Sequence, residues 1–365
     1  MPRLTPPPTV RYIDPPRFIS VDRVRSAADS IRSLSDVLAE TPFPAVEEVE
    51  ALPSASLRTF GFELEYSAKA LDTLRGLYRE GITRMDRFHR YHCDCEHCSV
   101  VDIGYGQAPL LHAQTDSTAD GEFISRVLND WNELRQITEP LTRIASEVGA
   151  QTGPRCGLHV HVGALGSNDI DNLTLCAYLA YERFFIEIVA PGRSQQKRDM
   201  NTTLMQALRQ FAVDNYSPEN AWKDLSRSSL GQTLRAVIAR DRHVDLNLSR
   251  YRTFEFRSFN ATNAAWRIEL AARMSVAFVA ATPELVALVE KSLRGSKAWP
   301  EGCDSPWGEI ARPGWSQLVA PHPTKKPTVT MDEFVDCLSA VDPELRPLIE
   351  RQRSYMRARW AKTIS

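Results

Sequence analysis

The chain carries almost no net charge: 44 basic against 46 acidic residues leave a formal −2 over 365 positions. That balance gives no electrostatic reason to expect a polyanionic partner, and nucleic acid is set aside. Long apolar runs are missing as well. The proline-punctuated start, Met1 to Pro8, has no apolar core of signal-peptide length, and the most apolar helical stretch, 173–190, is interrupted by Glu182, Arg183 and Glu187. A soluble, cytoplasmic protein with no membrane partner is the expectation. Cysteine is scarce at seven residues, an odd count with no secretion signal, so reduced thiols or a metal site are expected in place of disulfides. Beyond the N-terminal arm there is no low-complexity block, and there is no internal repeat.

Patterning divides the chain into a proline-rich arm, helix and linker (1–53), a central catalytic unit (54–295) with a Cys/His-rich insertion near 88–104, and a C-terminal helical extension (296–365). Strands are predicted at 59–66, 110–114, 122–125, 157–163, 244–248 and 253–259. Helices are predicted at 20–40, 68–78, 127–148, 168–189, 264–290 with a break or kink near Pro283, 331–339 and 343–360. The economical architecture is α+β, an antiparallel sheet backed by helices. Nothing in the pattern decides the oligomeric state.

Three of the predicted strands share one design. Glu63-Leu64-Glu65, His159-Val160-His161 and Glu255-Phe256-Arg257 each set two polar side chains two positions apart within an apolar run. Strand side chains alternate between faces, so each polar pair projects to one side while Leu64, Val160 and Phe256 point to the other. Carboxylates suit hard divalent cations such as Mg²⁺, and a guanidinium matches phosphate. The bland reading is also open: glutamates on a half-buried strand commonly face solvent, and a Glu255–Arg257 surface pair would add at most about 1 kcal/mol. Asp116 and Asp120 fit either a turn that presents Glu122 or a plain turn.

These runs, taken in order, resemble the amidoligase family of the carboxylate-amine ligase superfamily, which includes glutamine synthetase and glutamate-cysteine ligase. The resemblance is carried by Gly61-Phe62-Glu63-Leu64-Glu65, by Asp116-Ser117 followed by Gly121-Glu122-Phe123, by Gly157-Leu158-His159-Val160-His161, and by Asp245-Leu246-Asn247-Leu248 leading into Thr253-Phe254-Glu255-Phe256-Arg257. It implies a glutamine-synthetase-like catalytic domain with a curved, mostly antiparallel sheet. It implies that Glu63, Glu65, Glu122, His159 and Glu255 ligate Mg²⁺ or Mn²⁺ around the phosphates of ATP, that His161 lies near the nucleotide, and that Arg257 stands beside the transferring phosphate. Glu63, Glu255 and Arg257 would then be the catalytic residues. The reaction implied joins a small-molecule or peptide carboxylate to an amine through an acyl phosphate.

Arg242 and Arg250 precede the last of these strands and can serve nucleotide or substrate carboxylate, or stand as ordinary loop arginines. A separate cluster, His92-Cys93-Asp94-Cys95-Glu96-His97-Cys98, is expected to hold a structural zinc ion. Cys93, Cys95 and Cys98 would be three ligands, and His97 is one choice for the fourth. A solvent-facing loop of reduced cysteines is the alternative. Two further readings stand beside the ligase: a metal-dependent amide or ester hydrolase using His159, His161 and the cysteine cluster as its metal site, and a catalytically silent binding module on the same fold.

Overall fold

The computed structural model describes residues 58–90, 110–116, 119–153, 155–163, 168–189, 246–248, 253–294 and 329–364. The predicted zinc cluster, the N-terminal arm and helix, Arg242 and Arg250 all lie outside the described residues.

Alternation builds the sheet. In β1 (Phe60–Tyr66) the side chains of Phe60, Phe62, Leu64 and Tyr66 are buried, while Glu63 and Glu65 take the other face. The same rule orders β2 (Leu111–Gln114), β3 (Gly121–Ser125), β4 (Gly157–Gly163), β5 (Leu246–Leu248) and β6 (Thr253–Asn260). They pair in the order β2-β3-β1-β4-β6-β5, antiparallel throughout. The α+β class expected from the sequence is therefore what the chain adopts.

Helices cover the apolar face. α1 (Ala70–Arg79) packs against α2 (Trp131–Glu147), and α3 (Asn168–Val189) lies against β6. α4 (Ala265–Ala280) crosses β1 and β4 and is buried along almost its whole length, from Ile268 to Val279. α5 (Thr282–Arg294) follows, and α6 (Met331–Val341) and α7 (Leu345–Ile364) close over α4. A chain of aromatic rings runs through these layers: Phe256 stacks on Phe185 at 5.5 Å, and Tyr181 stacks on Phe334 of α6 at 5.0 Å. Among the described residues no single helix is long and apolar enough to cross a membrane. α4 and the first part of α5 match a span only as a pair bent by 70°, and both contribute to the core.

Three local differences from the sequence reading have physical causes. The helix predicted from 127 starts at Trp131, because Leu128 exchanges backbone hydrogen bonds with Phe60 at 2.7 and 2.9 Å and holds that stretch extended. Asp130 then caps the helix by accepting from the Asn132 N–H at 2.9 Å. The break predicted near Pro283 is present but falls two residues earlier, at Ala281, with Pro283 in the first turn of α5 where a missing N–H costs nothing. The third difference is in β6. Leu158 pairs with Phe259 but Val160 pairs with Phe256, so β6 carries one residue more than β4 between these pairs. This bulge lets both Phe256 and Phe259 reach the apolar core, which strict alternation forbids.

Candidate functional site

The polar face of the sheet gathers the three motifs. Register explains how: Glu63 is the cross-strand partner of His159, Glu65 of Glu122, and His161 of Glu255. Partners in adjacent antiparallel strands project to the same side, so strands distant in sequence deliver four carboxylates and two imidazoles to one patch. Glu65, Glu122, His159 and Glu255 form its buried floor, whereas Glu63, His161 and Arg257 keep 17–23% of their side-chain surface at its mouth.

Glu63 is the hub. Its Oε2 lies 3.1 Å from His159 Nδ1 and its Oε1 lies 3.2 Å from His161 Nε2. His159 is ringed by further carboxylates, with Glu65 Oε1 3.8 Å from Nε2 and Glu255 Oε1 3.8 Å from Nδ1. Burial raises the Glu63 carboxyl, but its contacts with the two imidazoles outweigh burial and hold it well below the usual carboxylate range. For His161 the balance is the mirror image: burial lowers its pKa, and Glu63 overcomes that and raises it. Glu122 shifts the other way. Burial, followed by the charge of Glu63, pushes its carboxyl up to about 9 even though Gln114 donates a hydrogen bond to it. Crowding of this kind marks a face built to receive positive charge.

Polar neighbours aim each acid. Gln114 on β2 donates to Glu122 Oε2 at 2.6 Å, and Asn247 on β5 donates to Glu255 Oε2 at 3.1 Å. The Gly157 N–H donates to Glu65 Oε2 at 2.6 Å, and Arg257 pairs with Glu255 Oε1 on the same strand. His161 Nδ1 meets the Thr253 hydroxyl at 3.1 Å. Asp116 and Asp120 act as turn residues. Asp116 Oδ1 accepts from the Ala119 N–H at 3.1 Å, and Asp120 Oδ2 accepts from the Ala70 N–H at 2.8 Å, capping α1 where Lys69 provides no side-chain cap.

Two sets of side chains place one ligand atom each within 4.8 Å of the others: Glu63, His161 and Glu255, and Glu63, Glu122 and His159. A mixed oxygen and nitrogen donor set, buried at its base and open at its mouth, fits a divalent cation. Of the residues singled out in the sequence, Glu63, Glu65, Glu122, His159, His161, Glu255 and Arg257 thus share one face, although Glu65 belongs to neither set. Three contributors went unassigned in the sequence: Gln114, Asn247 and Thr253. Gln114 and Asn247 are cross-strand partners of Glu122 and Glu255, a relation that only the register discloses, while Thr253 shares a strand with Glu255 two positions away.

Comparison with protein families gives a match. The family model described as "Putative amidoligase enzyme" matches residues 107–279. That span takes in every strand of the sheet except β1, which contributes Glu63 and Glu65 from its place between β3 and β4. No curated protein matches the chain.

Proposed function

From the match of residues 107–279 to the amidoligase family, we propose that the protein is an ATP-dependent carboxylate-amine ligase with a glutamine-synthetase-like catalytic domain. The observation that carries this reading is the single sheet face on which four carboxylates, two imidazoles and Arg257 converge around two overlapping ligand sets.

In the proposed reaction an oxygen of the substrate carboxylate attacks the γ-phosphorus of ATP. The bond to the β-phosphate oxygen breaks, leaving ADP and an acyl phosphate. An amine nitrogen then attacks the acyl carbon, phosphate departs, the amine loses a proton, and an amide or isopeptide bond remains. Two anions must meet in the first step. Bound Mg²⁺ or Mn²⁺ would supply the positive charge that screens the triphosphate.

The chain's residues do the rest. Glu63, Glu65, Glu122, His159 and Glu255 would hold the cations, and Gln114 and Asn247 fix the outer carboxylates Glu122 and Glu255 in orientation. Arg257, at the mouth and tethered to Glu255, would stand beside the transferring phosphoryl group, where fixed positive charge counters the negative charge that develops in transfer. The carboxylate is proposed to belong to a small molecule or peptide, and the protein to act in the cytoplasm.

The test is ADP release from ATP in the presence of a divalent cation, screened against amino acid and peptide carboxylates with and without an added amine. The ligase reading expects release only when both partners are present. Cleavage of amide or ester substrates without ATP would replace it with a hydrolase, and absence of any binding of a non-hydrolysable ATP analogue with Mg²⁺ would replace it with a silent binding module.

A further inference from the structure

We propose that His161 is itself a metal ligand, and that the Glu63–His161–Glu255 half of the site takes a divalent transition ion such as Mn²⁺ in preference to Mg²⁺. The inference rests on the reading that this face binds divalent cations. It departs from the family resemblance, which assigns His161 to the neighbourhood of the nucleotide.

The ring is oriented as a ligating imidazole is. A histidine that binds metal through one nitrogen is normally held by a hydrogen bond at the other, which fixes both tautomer and ring plane. His161 Nδ1 is engaged by the Thr253 hydroxyl at 3.1 Å, two residues before Glu255 on the same strand. Nε2 is thereby turned inward. It is sealed from solvent and lies 3.2 Å from Glu63 Oε1. An ion lodged between Glu63 and Glu255 would displace any proton on Nε2 and take that nitrogen as a ligand.

The acids around it are arranged to share ions. Glu63 turns one oxygen toward each imidazole, Oε1 to His161 and Oε2 to His159, and it is common to both ligand sets. A carboxylate so turned could serve a cation in each set. Asn247 holds the outer oxygen of Glu255, leaving Oε1 facing His159 and Arg257. With His159 in one set and His161 in the other, neither half is an all-oxygen cage. Mg²⁺ favours oxygen donors and keeps its waters, whereas affinity for nitrogen rises along the transition series, so one imidazole per half moves the preference toward a transition ion.

The test is a titration of the full-length metal-free protein with Mn²⁺, followed by electron paramagnetic resonance, with Mg²⁺ as competitor. The parent is expected to bind two Mn²⁺ ions, to show a spin-coupled signal from the pair, and to retain both against equimolar Mg²⁺. His161→Gln is expected to lose the coupled signal and the second tight ion while keeping the one held by Glu63, Glu122 and His159. Thr253→Val, which removes the orienting bond, is expected to weaken the second ion by about 10-fold or more, the scale of outer-shell substitutions. Unchanged melting of the metal-free variants would exclude misfolding as the cause. Retention of the coupled pair in His161→Gln would overturn the inference and leave the cation site standing. If the parent binds neither Mn²⁺ nor Mg²⁺, with or without a non-hydrolysable ATP analogue, the cation reading falls and this inference falls with it.

Discussion

Glu63 and His159 are Cα partners across the β1–β4 ladder, and their side chains meet at 3.1 Å between Oε2 and Nδ1. The same carboxylate also faces His161, so one acid organises both imidazoles. Glu63→Gln preserves shape and removes the charge that both ligand sets share. The expected outcome is loss of cation-dependent nucleotide binding by at least ~100-fold, above the range typical of outer-shell partners. Calorimetric titration with a non-hydrolysable ATP analogue and Mg²⁺ or Mn²⁺ measures this. Folding should persist, because the core contribution of β1 comes from Phe60, Phe62, Leu64 and Tyr66 on the opposite face. Parent-like affinity in a folded variant would remove Glu63 from the site.

Much of this face could be read from the amino-acid order, and the reason is local. Glu63 with Glu65 and His159 with His161 are each separated by one apolar residue, so strand periodicity alone puts each pair on one side. Periodicity says nothing about which strands lie next to each other. That β1 sits between β3 and β4, bringing Glu65 opposite Glu122 and Glu63 opposite His159, is a long-range pairing, and α4 packs across two of these strands, β1 and β4. The bulge was hidden for the same kind of reason. Phe259 is out of phase with Phe254 and Phe256, and only the register with Leu158 shows how it regains the core. Gln114 and Asn247 look like unremarkable strand-end amides until the pairing of β2 with β3 and of β5 with β6 places them beside Glu122 and Glu255.

Those amides lead to a graded prediction. Gln114→Ala and Asn247→Ala each remove a donor from an acid and leave the acid itself in place. Cation affinity should fall by about 10- to 100-fold in each, less than for loss of Glu122 or Glu255 themselves. The double variant should show the sum of the two losses in free energy, since the amides lie on opposite edges of the sheet and touch different acids. Titration with Mn²⁺ reads both effects. An effect from neither substitution would make these contacts incidental.

Acid sensitivity should trace in part to His112 on β2. Burial first, and the charge of His89 second, lower its pKa from 6.5 to about 4. The folded state therefore keeps His112 neutral where the unfolded chain binds a proton. Between about pH 4 and 6.5 the unfolded state holds more protons, so stability rises with pH across that window and is lost as pH falls through it. His112→Gln should flatten this portion of the curve. Urea midpoints at pH 6.5 and pH 4 supply the comparison, with the parent expected to lose more than the variant. Equal losses would place the acid sensitivity elsewhere.

Gly121 stands beside Glu122 for want of space. A Cβ there would lie 2.3 Å from Phe88 Cζ and 3.0 Å from the Ala70 Cβ. Phe88 packs edge-on against Phe123 at 5.9 Å, which limits its retreat. Gly121→Ala should cost about 1–3 kcal/mol in denaturant unfolding, the usual range for overpacking. Because β3 must shift to relieve the clash, cation affinity should fall as well. A variant as stable as the parent would show that Phe88 yields freely.

Phe334 tests how far the C-terminal helices belong to the body of the protein. Its ring lies 5.0 Å from Tyr181, 5.4 Å from Phe184 and 6.4 Å from Phe278, inside the aromatic chain that reaches Phe256 on the sheet. A second tie runs beside it. Buried Arg273 of α4 pairs with Asp342 just beyond α6 at 2.8 Å and lies over the Trp131 ring at 4.5 Å. With both ties intact, α6 and the sheet should unfold together. Phe334→Ala leaves a cavity at the joint and is expected to cost about 3–5 kcal/mol. If the region is one cooperative unit, the single unfolding transition moves to lower denaturant without splitting. A main transition left in place, with a separate early phase, would make the C-terminal helices an appendage that the sheet and its site do not need.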